Sequence, residues 1–114
     1  MTQDVKRIVA TYYASWRDKD FDTLRSVLAD DATFRGPLGE AEGGDACVKG
    51  IEGLSEIVTD VVVHKMLADG PDVLTWFELH TTVAPPVPTA TWAHVEDGRV
   101  TRVWATFDPR PLIR

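Results

Sequence analysis

The chain has 114 residues, 44% of them hydrophobic and 26% charged, enough for one soluble core and too few for two. A formal net charge of -6 with scattered basic residues leaves no positive stripe to neutralise a phosphate backbone, so neither nucleic acid nor an anionic membrane is expected as a partner. Cys47 is the single cysteine, which rules out an internal disulfide and a cysteine-based metal site. The opening MTQDVKRIVATYYASW lacks the apolar stretch of about 7–15 residues of a signal peptide, and no apolar run nears the ~20 of a membrane span. The expected location is the cytoplasm.

In chain order, Val5, Ile8, Val9, Tyr12, Tyr13 and Trp16 recur at helical spacing and form one apolar stripe, with Thr2 or Asp4 available as a cap. After RDKD a second short helix is predicted, capped by Asp20 and turning Phe21, Leu24, Val27 and Leu28 inward. DDATFRGPLG reads as a short strand running into a Gly/Pro loop. Asp45 is the expected cap of a third helix carrying Val48, Ile51, Leu54 and Ile57, weakened by Gly50 and Gly53.

From Thr59 the period changes to two. Strands are predicted over roughly 59–67, 73–83, 89–96 and 99–108, separated by turn signals at ADGPD, APPVP and EDGR. Helices first and strands afterwards indicate α+β, with the helices on one face of an antiparallel sheet.

The Asp97-Gly98 pair suits a two-residue hairpin, which sets Glu96 opposite Arg99. Counted outward without interruption, Thr91 then faces Trp104, Thr89 faces Thr106 and Val87 faces Asp108. Alternation puts Thr89, Thr91, Ala93, Val95, Trp104, Thr106 and Asp108 on one cavity-like face. Ala90, Trp92, His94, Val103, Ala105 and Phe107 fall on the other. That second face is apolar and lies away from the helices, so a homodimer through the outer sheet face is expected.

This order of elements resembles the nuclear transport factor 2-like cone, three N-terminal helices packed on a curved antiparallel sheet, over nearly the whole chain. The segments YYASWRDKDFDTLRSVLADDATFRGPLG, LADGPDVLTWFELH and VEDGRVTRVWATFDPR carry the resemblance, and they look like the SnoaL-like branch with its polyketide cyclases, ketosteroid isomerases and limonene-epoxide hydrolases. The isomerases carry an aspartate base just before the proline of the strand-loop segment, where this chain has Gly36 in FRGPLG. They also use a protonated acid on the penultimate strand. Around Thr89, Thr91 and Ala93 there is no carboxyl. Tyr12 matches the family's helix-1 tyrosine by its spacing to KDFD. Asp108 in TFDPR matches one aspartate of the hydrolases' Asp-Arg-Asp set, while Glu78 and His80 stand where the Arg-x-Asp would fall. The single acid-base aspartate of the polyketide cyclases also suits Asp108.

Two expectations follow. The first is a pocket protein for a small hydrophobic ring compound, a cofactor-free cyclase, isomerase or hydrolase. Asp108 is then the acid-base, with Glu78, His80 and Tyr12 as polar companions and Trp104, Trp76, Thr106 and Thr91 as ligand contacts. The Glu78–His80 pair, on one strand face at roughly 6.5–7 Å by strand rise, suits acid-base work near neutral pH. The second is a non-catalytic binding or dimeric interaction module of the same fold. His64, His80 and His94 lack the spacing of a zinc site, so no metal is expected, and no cofactor motif is present.

Overall fold

The computed structural model of the protein describes residues 2–113, with side chains from Val5 onward; the capping expectation at Thr2 or Asp4 therefore lies outside the described side chains. Two helices, α1 (Thr2–Asp18) and α2 (Phe21–Val27), lead into strands β1 (Leu28–Gly36) and β2 (Gly39–Glu42). Helix α3 (Gly44–Ser55) follows, then β3 (Val58–Asp69), β4 (Asp72–Thr81), β5 (Val87–Glu96) and β6 (Arg99–Phe107), and a short 3-10 turn (Arg110–Leu112).

The helix starts show how local chemistry selects the elements. Asp20 caps α2, its carboxylate accepting from the Thr23 amide at 3.2 Å and the Thr23 hydroxyl at 2.7 Å. At α3 the expected cap fails. Gly43 occupies the N-cap with φ 97° and offers no side chain, while Asp45 sits in the first turn and receives the Arg25 guanidinium at 2.7 Å. The same guanidinium also reaches Asp30 at 2.7 Å and the Leu28 carbonyl at 3.1 Å, tying α2, β1 and α3 together. Helix α3 runs through both Gly50 and Gly53 and ends before Ile57.

The sheet has the order β2-β1-β6-β5-β4-β3. All neighbours are antiparallel except β1 and β6, which run parallel because helix, hairpin and three strands intervene between them. β2 begins at Gly39, where the expected Gly/Pro loop ends, and returns along β1 with Gly36 opposite Gly39. The β5–β6 hairpin has the expected two-residue loop, with Asp97 and Gly98 both at positive φ and Glu96 paired to Arg99. Pairing then jumps from Val95–Val100 to His94–Arg102, leaving Thr101 unpaired as a β-bulge whose hydroxyl donates to the His94 carbonyl. Further bulges at Thr59 and His64 interrupt β3 against β4. Each bulge bends its strand, which curves the sheet around the helices.

The core lies between the helices and the concave face. Phe77, Leu24, Leu28, Val9, Val73 and Val100 are the largest fully buried side chains among the described residues. Tyr13 and Trp16 of α1 rest on Phe77 of β4, with ring centroids 5.0 and 6.0 Å apart. Aromatic contacts of this kind add about 0.5–1.5 kcal/mol each beyond the area they bury.

Candidate functional site: a cavity under the concave sheet

The Thr101 bulge decides what the cavity is made of. By inserting one residue it inverts β6 relative to an uninterrupted hairpin, so Val103 pairs with Ala93, Ala105 with Thr91 and Phe107 with Thr89. Val103, Ala105 and Phe107 therefore face the helices, while Trp104, Thr106 and Asp108 face outward. This corrects the expected side for all six. Between the concave face and the helices lies a cavity of about 290 Å³. Its walls come from α1 (Tyr12, Tyr13, Trp16), α3 (Cys47, Ile51, Leu54), the β1–β2 hairpin and the inner positions of β4, β5 and β6.

Of the eight residues expected to act on a ligand, the structure brings two to this cavity, Tyr12 and Thr91. Tyr12 sits on the buried stripe of α1, and burial pushes its phenol pKa well above the ordinary value, so it stays a neutral hydroxyl. Among the described residues no hydrogen bond is formed by that hydroxyl. Thr91 is engaged: its hydroxyl bonds the Tyr13 hydroxyl, pinning α1 to β5. Thr89 donates to the Val87 carbonyl at 3.1 Å, and the Cys47 thiol donates to the Ala32 carbonyl at 3.5 Å. Burial raises the Cys47 pKa and keeps its sulfur protonated.

The other six lie elsewhere. Asp108 follows β6 on the outer side, its carboxylate held by the Arg110 guanidinium at 2.6 and 2.9 Å and by the Arg110 amide at 3.1 Å. These bonds hold its pKa down to about 2. Glu78, His80 and Trp76 occupy outer positions of β4, since Phe77 and Leu79 point inward. Glu78 and His80 do meet, His80 Nε2 lying 3.3 Å from Glu78 Oε1, with His64 Nε2 at 3.6 Å from the same oxygen. Trp104 is 41% exposed and Thr106 is exposed beside it. Trp104 stacks edge-on against Trp92 at 5.3 Å, and the Arg102 guanidinium covers both rings at 5.1 and 5.5 Å.

The only carboxylate on the cavity wall among the described residues is Glu40, exposed at the rim and paired with Arg35 at 3.2 Å. No histidine, lysine or arginine lines it, and no group of three metal-ligating side chains is present among the described residues. The sequence did not reveal Phe34, Phe77 or Phe107 as lining residues. The i, i+2 relation of Phe34 and Gly36 was the available signal, but the β1–β2 hairpin had to be recognised first.

The sequence matches the SnoaL-like domain over residues 9–103, nearly the full length of the sheet and helices. The chain belongs to the SnoaL-like family. Solved structures agree in fold. An NTF2-like protein of unknown function from Cytophaga hutchinsonii is 26% identical, with a TM-score of 0.86 over 96% of this chain and 95% of that one. An LEH-like epoxide hydrolase from M. tuberculosis is 25% identical, with a TM-score of 0.83 over 96% and 86% of the two chains. A protein of ketosteroid isomerase-like fold from Catenulispora acidiphila, in complex with trimethylamine, is 20% identical, with a TM-score of 0.73 over 86% and 82%. No curated protein matches the sequence. The chain shares the fold of these proteins; epoxide hydrolysis and the trimethylamine complex belong to them.

Proposed function

We propose that this SnoaL-like protein binds a small, neutral, hydrophobic ring compound in the cavity under its concave sheet, with the Tyr12 hydroxyl donating a hydrogen bond to a carbonyl or similar acceptor on the ligand. The observation that carries this reading is the wall itself: apolar and aromatic, with Tyr12 as a neutral hydroxyl free of a protein partner among the described residues. A pocket of this kind supplies apolar contact for affinity and a few polar groups for orientation. Proton transfer needs a titrating group within reach of the ligand, and Asp108, Glu78 and His80 all face away. The binding reading is therefore favoured over a cyclase, isomerase or hydrolase using Asp108 as acid-base.

Two further parts of the proposal concern the whole protein. The outer sheet face carries an apolar row and suits pairing with a second copy. A cytoplasmic location suits the unpaired, buried thiol of Cys47. Among the described residues no helix is long and apolar enough to cross a membrane.

The test uses 2-acetonaphthone and naphthalene as a matched pair of probes, with binding followed by calorimetry or ligand fluorescence. The protein is expected to bind the ketone more tightly. Tyr12→Phe should weaken the ketone about tenfold, the worth of one net hydrogen bond of ~1–1.5 kcal/mol, and leave naphthalene unchanged. Equal loss for both probes would remove the hydrogen-bonding role of Tyr12. Absence of binding of either probe at millimolar concentration would refute the cavity as a ligand site.

A further inference from the structure

We infer that Phe34 sets the length of ligand the cavity accepts, a conclusion that rests on the cavity being the ligand site. Phe34 and Gly36 lie two apart on β1 and so share a face of the sheet. Both line the cavity, as does Ala105 of β6. A Cβ added at residue 36 would meet the far edge of the Phe34 ring, with Cζ at 3.1 Å and Cε1 at 3.2 Å, and the Ala105 Cβ at 3.6 Å. The phenyl ring therefore occupies the space that a side chain at position 36 would fill. Glycine at 36 and alanine at 105 together make the slot, and Phe34 closes it.

Two opposite substitutions follow from this geometry. Removing the ring opens the slot between residues 36 and 105 and lengthens the cavity by about one aromatic ring. Adding a methyl at 36 pushes the ring edge by a few tenths of an ångström. The β1 backbone and Ala105 bound the slot, so the ring moves into the cavity and shortens it. Interiors are packed closely enough for such small shifts to be felt. The ligand class is then a neutral ketone of one or two fused rings, with the third ring excluded by Phe34.

The experiment measures affinities of acetophenone, 2-acetonaphthone and 2-acetylanthracene for the parent protein and for Phe34→Ala, Phe34→Leu and Gly36→Ala. Far-UV circular dichroism confirms that each is folded; Phe34→Leu retains apolar bulk if Phe34→Ala unfolds. The parent should bind the first two and reject the third. Both Phe34 variants should gain 2-acetylanthracene by on the order of tenfold relative to acetophenone, and Gly36→Ala should lose 2-acetonaphthone by a similar factor relative to acetophenone, as expected for size discrimination in an apolar pocket. An unchanged size order in all folded variants, with the parent still binding, overturns the role of Phe34 alone. Failure of the parent to bind any of the three ketones overturns the cavity reading itself.

Discussion

The carboxylate of Asp108 is satisfied by a single neighbour two residues on. Arg110 provides its backbone amide and two guanidinium nitrogens, so the pair closes the chain end as a local turn with Pro109 between. The sign of the linkage follows from the direction of the shift. A carboxyl held near 2 in the folded protein, against ~3.9 unfolded, contributes stability that is fully present above the unfolded value. That contribution is lost as pH falls from about 4 through 2. The group is exposed and screened, so the effect on stability is small. Carboxyl-carbon NMR should find Asp108 titrating near 2, and Arg110→Ala should return it toward ~3.9. An unmoved titration in that variant would show that another group holds the proton off. Asp108→Asn is expected to leave ketone binding unchanged, because its side chain lies outside the cavity. Tyr12 is the contrasting residue: its place on the apolar stripe of α1 was legible from spacing, since a helix presents the same face every three to four residues.

At the level of elements, the β5–β6 hairpin shows how one residue reassigns a strand. The Asp97-Gly98 turn is local chemistry and was readable directly, because positive φ at both positions selects such residues. The bulge at Thr101 was not readable. Nothing in VTRVW marks which residue is left unpaired, and alternation read without the bulge gives the opposite face. What decides it is burial. Val103 is 3% exposed, and Ala105 and Phe107 turn inward with it, whereas an uninterrupted register would bring Trp104 and two polar residues inward. Deleting Thr101 is therefore expected to force a choice between hairpin pairing and core burial. Large-to-small core losses cost about 2–5 kcal/mol each, a large share of a stability of ~5–15 kcal/mol. The deletion variant should lose its cooperative thermal transition in circular dichroism. A cooperative melt within a few degrees of the parent would show that the inner face of β6 does not dictate the register. The same reasoning covers β4, where Glu78 and His80 were placed by a strand whose facing the APPVP loop does not fix.

At the scale of the molecule, the convex side of the sheet is as distinctive as the concave one. Leu67 pairs with Leu74, Leu74 with Trp92 and Trp92 with Trp104, giving one apolar row across four strands. Leu67 and Leu74 are each 56% exposed, and Trp76 beside the row is 48% exposed. The outer patch expected from the sequence contained Trp92, which it retains, together with Val103, Ala105 and Phe107, which the structure turns inward. Large apolar patches on single chains are characteristic of interaction surfaces. A two-fold pairing sets the row against itself, and apolar burial at roughly 25 cal/mol per Å² opposes the cost of association. Trp92 is partly committed already, its indole N–H donating to Asp72 at 2.9 Å. Trp76→Glu is the cleaner probe, since its ring has no such bond among the described residues. Sedimentation velocity at high micromolar concentration should show a dimer for the parent and a monomer for this variant. A monomeric parent would remove the pairing from the proposal and leave the cavity reading intact.

Elements that depend on neighbours along the chain were legible in the sequence. These were the helix stripes, the Asp20 cap, the Asp97-Gly98 turn and the four long strands, and their order was enough for the α+β class. Tertiary structure decided which strand residues face the cavity and that β1 lies parallel beside β6. It also decided that the ring of Phe34 fills the empty place at Gly36. These are contacts between residues distant in sequence. A strand's two faces differ by a single step of register, and burial of the whole sheet against the helices, more than any local signal, selects between them.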